Sequence, residues 1–297
     1  MWDELQFAAS LVVSGLSIGL MYSLIALGFV LVYKATDAIN FAQGEFVMLA
    51  GFVAALTLAA KVPVLIAIAA AVAVMVAFSF ALERVVLRPL LGRPIIAVIM
   101  ATIGLGAMLR GLPPITVGGE TRAVSLNIGD MPIGFGPFSL PPVQILGVVV
   151  TLAFLGLFTW FFLKSRMGVA MRAVADNQQV AMAMGINVER YFALAWAMAG
   201  TVSALGGVIW GGMLGVDVHL ALVGLKVFPV VILGGLDSVL GAVIGGLIIG
   251  VVESLAAGYL DPFVGGGTKD FAPYVLMIIM LMFKPYGMFG THRIERV

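Results

Sequence analysis

KSRMGVAMRAVADNQQVAMAMGINVER, residues 164–190, is the one long polar segment with helical character in a chain of 297 residues that is otherwise almost entirely apolar. Lys164, Arg166, Arg172 and Arg190 make it basic, and only Asp176 and Glu189 oppose them. An apolar run precedes it and another follows it, so it reads as a short loop between two membrane spans. The positive-inside rule puts such a loop in the cytoplasm. Val174, Ala181 and Met184 recur at helical spacing, with Asp176, Asn177, Gln178 and Gln179 between them, which predicts a helix over 172–184 lying at the membrane surface. Gly185 is its stop, and Asn187 with Glu189 behind it starts the next helix. Two readings stand side by side: a solvated connector that only fixes topology, or a docking helix for a cytoplasmic partner.

Composition sets the class. Hydrophobic residues are 62% of the chain and charged residues 10%, against about 45–50% and 25% in soluble domains. This is the balance of a polytopic membrane protein, read here as one transmembrane domain over residues 1–297. A net charge of +1 gives no field that would recruit nucleic acid. The absence of cysteine excludes disulfides, thiolate metal sites and cysteine catalysis. The opening MWDELQFAAS lacks the basic start of a cleavable signal peptide, so the first apolar run is expected to stay as a span.

From that loop the topology extends in both directions. Apolar runs at 10–33, 46–60, 64–82, 95–112, 143–163, 191–213 and about 271–284 read as crossings. The run 222–257 is too long for one span of about 20 residues, so it must break, and the break reads as Leu233–Ser238. The count is eight or nine crossings. Basic residues at Arg84, Arg88 and Arg93, in the loop 164–190 and in the tail (His292, Arg293, Arg296) share one side, with the N-terminus outside and the C-terminus in the cytoplasm. The Pro- and Gly-rich loop 113–142 then lies outside, where Ala123–Leu126 and Ile133–Phe135 are expected to pair as a hairpin. Gly15 and Gly19 form a face that lets another helix approach closely.

Polar groups inside these spans are functional candidates by default. Glu83 and Arg110 sit at span ends, Lys226 snorkels, and Glu253 does likewise. That leaves Glu45, with Asn40 and Gln43 as polar neighbours, in an interruption before a helix. The structural alternative is that Asn40 caps that helix and Glu45 complements its dipole. Asn40–Glu45 and Gly234–Ser238 are interruptions in opposite halves of the chain, as an internal repeat with a pathway between its halves would have. No lysine follows a glycine, so there is no phosphate-binding loop. His219 and His292 stand apart in no ligand pattern. The residues alone leave open an ATP-driven importer subunit energised from elsewhere, a secondary transporter driven by protons through Glu45, and a channel.

Four stretches carry a resemblance: GLMYSLIALGFVLVYKATDAINFAQGE (19–45), RAVADNQQVAMAMGIN (172–187), VFPVVILGGLDSVLGAVIGGLIIG (227–250) and FKPYGMFG (283–290). In this order they resemble the permease subunits of branched-chain amino acid ABC importers, the LIV-H type, over nearly the whole chain. The resemblance implies an all-α fold like that of the ribose and vitamin B12 importer permeases. It implies a LIV-M type partner permease, two cytoplasmic ATPase subunits holding ATP and magnesium, an external solute-binding protein, surrounding lipid, and no cofactor in this chain. It puts Asn40, Gln43 and Glu45 beside the translocation route, and makes the loop a coupling helix that docks on an ATPase through Arg172, Ala175, Asp176, Asn177, Ala181, Met184 and Gly185. Ala175, Asp176 and Gly185 match the EAA-type pattern of ABC importers in place, while its glutamate is missing. Gln43 stands where the family often has histidine. The family moves leucine, isoleucine and valine, and relatives carry urea, short amides, other amino acids and aromatic acids.

Overall fold

The computed structural model describes residues 2–90, 93–129, 131–135 and 138–291. The helices follow the apolar runs. α1 (Trp2–Thr36) is followed by an irregular segment, 37–42, and by α2 (Gln43–Ala59). α3 (Val64–Leu82) continues through a π-helical turn (Glu83–Leu87) and a 3-10 turn (Arg88–Leu90). After α4 (Ile95–Thr116) comes the Pro- and Gly-rich loop, where β1 (Ile133–Phe135) pairs antiparallel with β2 (Phe138–Leu140). α5 (Pro142–Lys164), the short helices α6 (Arg166–Asp176) and α7 (Gln178–Ala183), and α8 (Val188–Leu214) follow. A 3-10 turn (Val218–Ala221) feeds α9 (Leu222–Gly234), and α10 (Val239–Tyr259), α11 (Asp261–Val264) and α12 (Thr268–Phe283) complete the order. Among the described residues, six helices are long and apolar enough to cross a membrane, and Gln43–Ala59 and Val218–Gly234 are shorter apolar helices.

The break in 222–257 falls at 235–238, with Gly235 at φ +107, a conformation that suits glycine alone. Other expectations change. The helix expected over 172–184 is two helices, because Asn177 is extended and caps the second one, accepting from the Val180 N–H at 3.0 Å. The hairpin does not join Ala123–Leu126 to Ile133–Phe135. β1 pairs with β2 in the register Ile133 to Leu140, while the coil at 122 forms a single bridge with Val216. The all-α expectation therefore holds apart from one two-stranded hairpin. Asn40 is not the N-cap of α2; that position is Ala42. The basic tail read from His292, Arg293 and Arg296 lies outside the described residues.

The helices fall into two compact units. One holds the described residues of 1–30, 127–151 and 225–297. Here α1 and α10 touch backbone to backbone: a Cβ on Gly19 would lie 2.4 Å from the carbonyl oxygen of Gly246, and one on Gly250 2.2 Å from that of Gly15. The expected close approach at Gly15 and Gly19 is thus made to α10. Ser23 donates to the Gly19 and Val243 carbonyls at 2.8 and 3.2 Å. Pro229 in α9 cannot donate to the carbonyl four residues back; that carbonyl, of Leu225, instead accepts from the Tyr274 hydroxyl of α12 at 3.0 Å. The stretch 284–291 folds back on the end of α9, where the N–H groups of Met288 and Phe289 donate to the carbonyls of Leu233 and Gly234. Beyond α10, the Asp261 carboxyl accepts from the hydroxyl and N–H of Thr268, which hold it below the usual carboxylate range.

The other unit holds residues 31–126 and 152–224. α2 lies against α3 and α8, with the Phe46 ring 5.4 Å from Phe78 and 6.2 Å from Trp196. α8 makes its contacts through glycines: a Cβ on Gly207 would meet the Val47 carbonyl at 2.4 Å, and one on Gly200 the Met75 carbonyl at 2.6 Å.

Because a Cβ on Gly246 would lie 2.1 Å from Ser23 Oγ and 2.5 Å from the Gly19 carbonyl, Gly246→Ala is expected to destabilise the protein by about 3 kcal/mol, as overpacking does. Gly104, whose Cβ would meet nothing within 4 Å, is the control: Gly104→Ala leaves stability equal or slightly raised. Thermal denaturation of the two purified variants in detergent measures both.

Candidate functional site

α1 ends on Asp37, in the left-handed region at φ +55, with its N–H on the Tyr33 carbonyl. The chain then turns back as an irregular segment and enters α2. That segment carries backbone polar groups among apolar helices, where each needs a partner. Asn40 is fully buried; its Oδ1 accepts from the Ala42 N–H and its Nδ2 donates to Gln43 Oε1, both at 3.1 Å. Gln43, also fully buried, donates from Nε2 to Ser203 Oγ on α8 at 2.9 Å. The Phe41 N–H finds Thr102 Oγ1 on α4 at 3.3 Å. Ser203 is fifteen residues into α8, about 22 Å at 1.5 Å per residue, and Glu45 is about 21 Å short of the far end of α2 by the same measure. The polar start of α2 therefore lies well inside the packed helices.

Glu45 is buried and ion-paired with Arg110 Nη2 of α4. Thr102, Gly106 and Arg110 stand four residues apart and line one face of α4. Gly106 makes room for the carboxylate: its Cβ would be 3.3 Å from Glu45 Cδ and Oε2. Arg110 therefore does not simply sit at a span end. Of the three residues singled out in the sequence, Asn40 and Gln43 bond to one another while Glu45 turns to α4, and the partners Thr102, Arg110 and Ser203 lie far along the chain. The only local signal is the four-residue spacing on α4.

The other charges read as interfacial are also paired. Glu83 is buried, accepting from Arg88 Nε and Nη2 at 3.2 and 3.1 Å, and Arg88 reaches Glu189 at 3.0 Å. Lys226 of α9 bridges Glu253 of α10 at 3.3 Å and Asp270 of α12 at 2.6 Å. His219 is exposed, 3.5 Å from Asp217.

The loop 164–190 has an inward and an outward side. Ser165 caps α6, accepting from the Gly168 N–H at 2.9 Å. Arg172 is turned back: it donates to the Phe162 carbonyl at the end of α5 and lies 5.4 Å over the Phe162 ring. Val174 and Ala181, 1% and 3% exposed, pack with Ala35, Met171, Val188, Phe192 and Ala195. Gln178 donates to the Ala35 carbonyl in the last turn of α1 at 3.1 Å. The expected apolar side of Val174, Ala181 and Met184 is thus divided, because the break at Asn177 turns α7. Val174 and Ala181 hold the loop to its own chain, while Met184, 79% exposed, points away one turn beyond exposed Val180. Ala175 is half-buried, and Asp176, Asn177 and Gly185 are exposed. Gly185, at φ +81, ends the loop as expected, and Asn187 caps α8 through the Arg190 N–H at 3.1 Å.

The family profile described as branched-chain amino acid transport system / permease component matches residues 11–283. The chain belongs to this family. Members of this branched-chain amino acid transport permease family are membrane subunits of ABC transporters, so the chain is a multi-pass permease and not itself an enzyme. It is similar to the high-affinity branched-chain amino acid transport system permease protein LivH of Escherichia coli, 32% identical over 96% of each chain. It is also similar to the permease protein BraD of Pseudomonas aeruginosa, 33% identical over 96% of each chain. In fold it resembles PsaBC from Streptococcus pneumoniae, solved with a Fab, at a TM-score of 0.51 and 14% identity over 94% of this chain and 92% of that one.

In this permease the Glu45–Arg110 pair is asymmetric. Arg110→Ala leaves a buried carboxylate without a counter-ion and is expected to cost about 3–5 kcal/mol. Glu45→Gln keeps an acceptor beside a half-exposed guanidinium and costs less. The Glu45→Gln/Arg110→Gln double variant regains most of the loss of Arg110→Ala. Midpoints of thermal unfolding for the three purified proteins check the order.

Proposed function

We propose that the chain is a solute-translocating half of an ATP-driven importer whose loop 164–190 docks on an ATPase subunit. The observation that carries this reading is the outward pair Val180 and Met184, one turn apart on a loop fixed to span ends by Gln178 and Arg172. Exposed apolar side chains on a helix anchored in this way mark a protein contact. The other parts of the machine are a LIV-M type permease, two ATPases that bind ATP and magnesium, and an external binding protein that delivers the solute. The polar start of α2, with Asn40, Gln43 and Glu45, lies beside the route.

The solute in this reading is a branched-chain amino acid or a related small polar molecule, such as urea, an amide, another amino acid or an aromatic acid. The names of the relatives favour the first. The spans form one permease domain with eight or nine crossings, N-terminus outside and C-terminus in the cytoplasm. The basic stretches at Arg84–Arg93 and 164–190 support that orientation, since they fall on one side.

On this reading, a charge on the outward pair breaks docking while a charge on the inward side breaks the loop. Met184→Glu should leave the permease inserted and stable yet reduce the stimulation of ATP hydrolysis by loaded binding protein about tenfold or more, as loss of a central contact does. Ala181→Glu should lower stability as well, because its Cβ is buried among Val174, Val188 and Phe192. ATPase activity and denaturation midpoints of the reconstituted complex separate the two. Normal stimulation in Met184→Glu would show that coupling enters elsewhere.

The orientation has its own check. A cysteine at Gln179 should react with an impermeant thiol reagent only from the cytoplasmic side, and one at Glu120 only from outside. Reaction of the Gln179 position from outside would reverse the topology.

A further inference from the structure

The Glu45–Arg110 pair leaves part of the arginine unused. Glu45 is almost wholly buried, but the Arg110 side chain is 46% exposed. Among the described residues its one hydrogen bond is from Nη2 to Glu45, while a guanidinium carries five N–H donors in a planar fork. Glu45, in the first turn of α2, fixes the direction of the side chain. A charged guanidinium open to hydrocarbon at that depth is costly, so its open edge faces water or protein.

We propose that the open edge of Arg110 receives the carboxylate of the solute as it passes. The inference deepens the importer reading and rests on it. A planar fork is the side chain best matched to a carboxylate. Glu45 acts as the positioning residue: it fixes the fork against α4 and cancels its net charge. That cancellation suits transport, in which binding must be favourable enough to enter and weak enough to leave. A lone arginine in a low-dielectric site would hold a carboxylate too tightly. A neutral pair offers directed donors without a trapping charge, which fits a zwitterion carrying one carboxylate and one ammonium better than an anion.

The test uses the complete complex in proteoliposomes, with binding protein loaded to saturation with leucine or, separately, leucinamide. The Glu45→Gln/Arg110→Gln double variant removes the fork and the buried charge together, so the pair's structural cost is largely relieved. Its leucine uptake is expected to fall about tenfold or more, the worth of a charged hydrogen bond. The readout is the ratio of leucine to leucinamide uptake, which should fall about tenfold or more relative to the parent, whatever loss the two solutes share. Leucine uptake restored to the parental level in the double variant would show that Arg110 is only the counter-ion of Glu45, and would overturn the proposal. So would an equal loss for leucinamide. Arg110→Lys keeps a counter-ion for Glu45 but loses the fork; it should slow leucine uptake several-fold, and parental uptake in that variant also counts against the proposal. Absence of stimulated ATP hydrolysis in the parent complex would overturn the importer reading itself and this proposal with it.

Discussion

Inside a bilayer no water is available to satisfy a backbone amide or a side-chain charge, and every such group must find its partner within the protein. The turn between α1 and α2 meets that demand at its most exacting point. The irregular residues between the two helices lie among packed helices, and polar groups there are matched by Asn40, Gln43, Thr102 and Ser203. The same demand explains why the buried carboxylates of Glu45, Glu83 and Glu253 each have a cation. It also explains why the carbonyl released by Pro229 is taken up by Tyr274.

Much of this was legible in the chain. The breaks before α2 and α10 are visible as polar or glycine interruptions in apolar runs. Asn187 and Gly185 read directly as start and stop, and Gly15 and Gly19 as a contact face. What could not be read is which distant residue answers a local one. Arg110 lies sixty-five positions from Glu45, and nothing near it names that partner. Periodicity put Val174 and Ala181 on an apolar face but carried no information on what covers it; the cover is the chain's own Ala35, Val188 and Phe192. The split at Asn177 was hidden because the asparagine that begins α7 sits at the end of an equally good helical run. The hairpin was misassigned for a related reason: two-residue alternation over three or four positions does not fix register.

The loop and the polar turn are connected through the last turn of α1. Gln178 holds the Ala35 carbonyl, Asp37 reverses the chain, and Asn40 and Gln43 follow within the next six residues. One side-chain hydrogen bond thus joins α7 to the backbone that leads into α2. Arg172, bound to the end of α5, gives the loop a second attachment. Two attachments resist rotation where one would allow the loop to swivel.

The glycine contacts between α1 and α10 have a consequence of a different kind. Where two helices meet through side chains, a substitution can be answered by repacking, since a neighbour can change rotamer. At Gly19 and Gly250 the opposing surface is backbone alone, which has no rotamer to change. Variation there can only add atoms, and an added atom must be absorbed by moving a whole helix. The residues with the least chemistry in the chain are thus the ones with the fewest alternatives. Its ion pairs, by contrast, leave room for exchange, since both members of a pair can change together.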